Sequence, residues 1–244
     1  MMMLCLTAAY AQEKTDTTLM QEVTVSNSKD NRALRDQPLA STTIDTHEII
    51  SKGMHSMTDL ASYVPNLFIP AYGSRQTTAI YMRGVGSRIN TPAVGLYVDD
   101  ILWADKSAYD FDISDVQSID ILRGPQSTLY GRNAMGGLIR ISTKNPLDYQ
   151  GTDINLQGAT YGTARASATH YHRISSRLGF SGGFGYAHSE GYFTNHYNDK
   201  KADRDDEANV RFRLVAKPTD VVRLDFHANY EYSRQGAYPY MLEN

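Results

Sequence analysis

Residues 222–233 alternate without interruption between apolar and polar side chains. Val222, Leu224, Phe226, Ala228, Tyr230 and Tyr232 share one face, and Arg223, Asp225, His227, Asn229, Glu231 and Ser233 take the other. A period of two belongs to an extended strand, because a helix would smear such a stripe around its axis. The pattern recurs where Val210, Phe212, Leu214 and Ala216 oppose Arg211, Arg213, Val215 and Lys217. It recurs again where Leu178, Phe180, Phe184 and Tyr186 oppose Gly179, Ser181, Gly183, Gly185 and Ala187. Two earlier strands, at about 152–161 and 163–172, alternate less sharply.

A soluble sandwich would give the same alternation, so the pattern alone does not say which solvent the apolar face meets. Length and connections decide. Strands of about ten or more residues exceed the usual ~5–6 of globular sheets and suit a tilted membrane-crossing strand. The connections at 173–176 and 218–220 are tight, whereas 191–206 is a long charged excursion. Short turns on one side and long loops on the other are the habit of outer-membrane barrels. Tyr186, Tyr230 and Tyr232 then fall late in upward strands, at an interfacial girdle.

Residues 38–146 read differently, as a compact mixed α/β unit. Strands are expected at 41–44, 67–69, 79–83, 94–98, 119–123 and 138–143, with a helical turn over 46–51. Ser56 followed by Asp59 resembles a capping box, opening a helix over Leu60, Ala61 and Val64 that Pro65 stops. Between the last two strands, Gly124-Pro125 and Gly136-Gly137 force a compact turn around Tyr130, Gly131 and Arg132. No phosphate-loop lysine follows these glycines and no G-x-G-x-x-G opens a helix, which argues against a nucleotide cradle.

The ordered run Leu-Arg-Gly-Pro (122–125), Leu-Tyr-Gly (129–131) and Gly-Gly-Leu-Ile (136–139) resembles the signature of the plug domain of TonB-dependent outer-membrane receptors. The resemblance extends from Pro38 to Pro146 through Leu-Ala-Ser-Tyr-Val-Pro-Asn-Leu, Tyr-Met-Arg-Gly-Val-Gly and Val-Gly-Leu-Tyr-Val-Asp-Asp. It implies an α+β plug domain, a mixed four- to five-stranded sheet with short helices, at 38–146. The first ~5 antiparallel strands of a transmembrane β-barrel follow at 147–244, and that barrel is incomplete, since the smallest single-chain barrels close with about eight strands. The chain is thus expected to be the N-terminal part of a longer receptor, and by itself not to insert as a functional pore.

Upstream, residues 12–37 are polar and poor in aromatics, a flexible arm. Within it, residues 19–26 form an isolated β-prone island, suited either to begin the next domain or to be donated to a partner's sheet edge. Glu22, Val23, Thr24 and Val25 resemble a Ton box, so the resemblance implies TonB, with its inner-membrane energising complex, as a periplasmic partner. Residues 1–11 end in Ala-Tyr-Ala and fit the late part of a secretory signal peptide without its basic region. The lone Cys5 lies there, so no intrachain disulfide forms.

Further roles come from the same resemblance. Arg83 and Arg123 match plug arginines that pair with barrel-wall glutamates. Gln117 and Ser118 depart from the family's Glu-Arg at those positions, which puts salt bridges there in doubt. Arg75, Arg88, Trp103 and Tyr109 fall in segments expected at the plug apices, where they would suit an anionic, partly aromatic ligand. The implied activity is energy-coupled import of a scarce solute, foremost a ferric siderophore or similar iron chelate, across the Gram-negative outer membrane. A non-transporting or signal-transducing surface receptor is the alternative.

Other constellations carry less. Arg165, Arg211, Arg213 and Arg223 face the lumen, where pairing with acidic plug residues is favoured over steering of anions. His170 and His172 share a strand face but have no third ligand nearby, so no metal site is expected. Asp99-Asp100 is expected to make a hairpin turn, since adjacent strand residues point to opposite faces. No nucleophile–base set stands out, so neither catalysis nor a cofactor is expected. A net charge of -3 gives no nucleic-acid footprint.

Overall fold

A computed structural model of the chain describes residues 26–27, 30–33, 40–70, 78–87, 91–104, 109, 112–195 and 199–236. The signal segment, Glu22 to Val25, Arg75 and Arg88 lie outside these. The chain divides into two compact units, Met1–Gln37 and Pro38–Asn244. In the first, β1 (Ser26–Asn27) pairs antiparallel with β2 (Asp30–Ala33).

The second unit begins with β3 (Ala40–Asp45) and α1 (Thr46–Ser51). Asp45 ends the strand and caps the helix, its carboxylate accepting the Glu48 N–H at 2.8 Å. Further on, Asp59 Oδ2 accepts the backbone N–H groups of His55 at 2.8 Å and Ser56 at 3.0 Å. The element it opens is a 3-10 helix, Met57–Ser62, and not the α-helix expected through Val64. Pro65 disfavours the α conformation just before it, so the helix does not continue to Val64.

Short strands β4 (Leu67–Phe68), β5 (Tyr81–Met82) and β6 (Val85–Gly86) form a small antiparallel sheet. β5 is shorter than the expected 79–83 because Arg83 turns to a positive φ of 51° and ends it. Then come β7 (Val94–Val98), β8 (Ile101–Trp103), β9 (Val116–Arg123), α2 (Ser127–Tyr130) and β10 (Gly137–Thr143). They build a five-stranded sheet in the order β3-β9-β10-β7-β8, in which only β10 and β7 run parallel. The central strands are buried on both faces, hence near-continuous apolar runs without alternation. Leu96, Ile119, Ile121, Ile139 and Ile141 are fully buried, and the helices close the core with Ile49, Met57 and Leu60.

The wall strands β11 (Gly151–Ala159), β12 (Thr163–Ser175) and β13 (Leu178–Ser189) follow in meander order. Residues 190–204 carry a small hairpin, β14 (Thr194–Asn195) and β15 (Lys200–Lys201), before β16 (Asp205–Ala216) and β17 (Leu224–Gln235). The long strands pair antiparallel in sequence order and do not close on themselves. Register puts Phe180, Leu214 and Phe226 on one row and Phe184, Val210 and Tyr230 on another. Ile154, Leu156, Phe184, Val210, Phe226, Tyr230 and Tyr232 are exposed on that outward face. The inward face carries Tyr171, Ser181, Arg213 and Val215, which the α+β layer buries. An apolar face left uncovered and a polar face that is covered is the arrangement of a membrane barrel wall.

Candidate plug–barrel interface

The α+β layer meets the wall through charged side chains. Arg211, on the inward face of β16, reaches the segment before β9. Its Nη1 donates to Asp115 Oδ1 at 2.8 Å and to the Asp112 carbonyl at 3.1 Å. Its Nη2 donates to Ser114 Oγ at 2.9 Å and Asp112 Oδ2 at 3.2 Å. Asp112 is pre-formed for this role, since its carboxylate also accepts the Ser114 N–H and hydroxyl at 2.9 Å each. Burial pushes the Asp115 carboxyl above the usual range, and the Arg211 guanidinium opposes that shift.

Two residues along, Arg213 makes a second junction. Its guanidinium grips Asp225 with two bonds, Nε to Oδ1 at 2.9 Å and Nη2 to Oδ2 at 2.8 Å. Its Nη1 donates to Thr143 Oγ1 at 2.6 Å and lies 3.3 Å from Asp99 Oδ2. Asp99 in turn accepts the Thr143 N–H at 2.9 Å and hydroxyl at 2.6 Å. His227, from β17, sits with Nδ1 3.8 Å from Asp99 and Nε2 2.9 Å from Asp225. A third junction, Lys144 Nζ to Asp153 Oδ2 at 2.6 Å, ties the end of β10 to β11. The pairing of lumen-facing arginines with acidic residues of the α+β layer therefore holds for Arg211 and Arg213. Arg223, just before β17, bonds Asp225 of that strand at 2.9 Å.

The expected sites fare unequally. Arg123 spends its guanidinium on backbone carbonyls of its own layer: Ser41 at 3.2 Å, Pro65 at 3.4 Å and Ala40 at 3.5 Å. Arg83 is exposed, its guanidinium beside Gly124. Tyr109 is no surface contact: it is 1% exposed in the core, with its hydroxyl donating to the Val94 carbonyl at 3.2 Å. Trp103 is likewise not at an open apex, since it packs partly buried on the core and lines a cavity facing the wall with Asp99 and Arg213. Trp103 is drawn inward because β8 pairs with β7 at the sheet edge, Leu96 standing opposite Trp103. Asp99 and Asp100 do make the β7–β8 turn, both at positive φ, 46° and 67°. The turn reading missed that Asp99 also anchors Arg213. His170 and His172 face outward, their rings stacked 6.1 Å apart, with Thr152 Oγ1 2.8 Å from His170 Nδ1. Among the described residues no group of three potential metal ligands occurs.

Comparison with known proteins agrees with this architecture. Residues 33–138 match the family model "TonB-dependent Receptor Plug Domain". The chain is 35% identical over 140 residues to the pesticin receptor of Yersinia enterocolitica, an alignment covering 57% of this chain and 20% of that protein. It is 28% identical over 159 residues to the catecholate siderophore receptor Fiu of Escherichia coli K12, covering 60% of this chain and 20% of Fiu. It thus spans about a fifth of the length of these relatives. The ferric yersiniabactin uptake receptor FyuA from Yersinia pestis superposes with a TM-score of 0.72 at 26% identity, covering 80% of this chain and 32% of FyuA. The closed form of Fiu from E. coli K12, at 21% identity and a TM-score of 0.68 over 86% of this chain and 28% of Fiu, shares the fold. These relatives are receptors and not enzymes, and a covered polar wall beneath an uncovered apolar one needs a bilayer around it. Residues 33–138 therefore form a TonB-dependent receptor plug domain, and the strands that follow share the fold of the opening barrel strands of such outer-membrane receptors.

Proposed function

We propose that the chain serves energy-coupled import of a ferric siderophore or a similar iron chelate. The observation that carries this reading is the plug fixed to the lumenal face of the wall by Arg211, Arg213 and Lys144. A plug held in this way obstructs passage, and the outer membrane has no ATP to move it. Relatives bearing the same plug are named for pesticin, catecholate siderophores and ferric yersiniabactin, which supports an iron chelate as cargo.

In this reading the domains divide at 1–11, 12–37, 38–146 and 147–244, as signal, periplasmic arm, plug and barrel. Glu22, Val23, Thr24 and Val25 offer TonB an extended segment to pair with as an added strand. TonB then pulls on the arm and shifts the plug. Arg75 and Arg88 are the residues proposed to meet an anionic chelate on the outer side, through charge-assisted hydrogen bonds. The test is Val23→Pro in the receptor, which removes a backbone donor from the paired segment. Radioactive iron uptake should be abolished while surface binding of the chelate persists. Uptake at the normal rate would reject the coupling role.

A further inference from the structure

Several cavities lie along the boundary of plug and wall, one of about 450 Å³ between α1 and the strands β11 and β12, and two others meet near Arg211. The outer of these two, about 190 Å³, is lined among others by His55, Arg165, His188 and Asp205. The inner one, about 110 Å³, is lined among others by Asp99, Lys144, Arg213 and His227. Asp112 and Asn209 border both. The pair of voids is therefore a single interrupted seam along β12, β13 and β16. At their shared border Arg211, which lines the smaller cavity, grips Asp112, Ser114 and Asp115.

Along this seam the side chains of Thr169 and Asn209 fill the space over two glycines of β13. Gly183 and Gly185 face inward, and a Cβ at either would run into Thr169 or Asn209. Asn209 Oδ1 and Arg211 Nε are buried without a hydrogen-bond partner among the described residues.

We infer that Arg211 is the latch of a route along this seam, and that releasing Asp112 and Asp115 joins the two cavities into one passage between plug and wall. This rests on the import reading, in which some part of the plug–wall boundary must open. It adds which boundary opens and which residue holds it. Arg211 acts here as a positioning residue, through the plug segment 112–115 that it restrains.

The experiment is run in cells lacking TonB and without any chelate, so its outcome is separate from that of Val23→Pro. Asn209→Cys places a thiol where the cavities meet, probed by a membrane-impermeant maleimide added outside; vancomycin resistance reports leakage of a large hydrophilic solute. Adding Arg211→Ala should speed labelling about tenfold or more, as expected when local opening is eased, and should cost vancomycin resistance. Arg211→Lys should restore most of both. Arg123→Ala, which loosens bonds internal to the plug, should leave labelling of the introduced thiol unchanged. If Arg211→Ala does not accumulate, Asp112→Asn takes its place and should speed labelling in the same direction. Unchanged labelling and resistance at equal receptor levels would overturn the latch, as would an equal rise from Arg123→Ala.

Discussion

Arg211 Nη1 and Asp115 Oδ1 stand 2.8 Å apart, joining a barrel strand to a plug segment 96 positions earlier. Both side chains are largely removed from water, at 16% relative exposure each. A pair of this kind contributes little net stability when intact but is expensive to halve, because the survivor stays charged without its partner. Arg211→Met should therefore destabilise the plug–wall junction by about 3–5 kcal/mol. The double variant Arg211→Met/Asp115→Asn should lose less than the sum of the two single changes. Denaturant unfolding of the four proteins in a thermodynamic cycle measures this, and strict additivity would show that the two charges do not act as a pair.

Asp120 lies across from Arg140 in the plug sheet and accepts the Thr43 hydroxyl at 2.9 Å. Burial raises its carboxyl above the ordinary 3.8, against the opposing pull of Thr43 and Arg140. A carboxyl that holds its proton longer folded than unfolded costs the fold stability as pH climbs from the unfolded value through the folded one. Above that window the penalty is constant. Asp120→Asn should thus be more stable than the native protein near pH 7, by on the order of 1 kcal/mol, and lose that advantage near pH 3. Thermal unfolding midpoints of both proteins across the acid range give the answer.

Gly137 begins β10 at a φ of 157°, where an added Cβ would collide with Met82 Sδ and lie 2.5 Å from the Leu122 carbonyl oxygen. The backbone carbonyl cannot step aside without breaking the β9–β10 ladder. Gly137→Ala should destabilise the plug by several kcal/mol, about the scale of an overpacked core, with the wall strands retained. Hydrogen exchange should show faster exchange over residues 116–143 than over 163–175.

Much of this architecture was legible because its physics is local. Ser56 before Asp59 announces a helix start by its capping box, and adjacent Asp99-Asp100 between two apolar runs announces a hairpin turn. Residues 224–232 announce a two-faced strand by period, and strand length with the alternating short and long connections makes it a wall. The junctions were harder. That Arg211 and Arg213 prefer acidic plug partners follows from the cost of an unpaired lumenal charge. Which partners they find does not, because Asp112, Asp115 and Asp99 lie in loops whose approach to the wall is set by tertiary packing. The inward placement of Tyr109 and Trp103 was hidden for the same reason, since tertiary packing decides whether an aromatic side chain among polar neighbours ends in the core. The one local clue was Asp112-Ile113-Ser114-Asp115, two carboxylates flanking a single apolar anchor.

Val210 and Asn209 are neighbours on β16 with opposite solvents: Val210 is exposed on the outward face between Phe184 and Tyr230, and Asn209 borders the cavities inside. Lysine at the two positions separates a lipid-facing wall from one facing water. Val210 lies near the middle of a 12-residue strand, where a cation in hydrocarbon costs about 2–4 kcal/mol. Asn209→Lys meets Glu207 and Glu231 on the same inward face and faces no such penalty. Folding of the receptor into phosphatidylcholine vesicles, followed by heat-modifiable mobility, should fall for Val210→Lys and hold for Asn209→Lys. In a detergent-free aqueous buffer a water-facing sheet would tolerate Val210→Lys as readily as Asn209→Lys, so equal behaviour of the two variants in vesicles would place residue 210 in water and remove the bilayer from the reading.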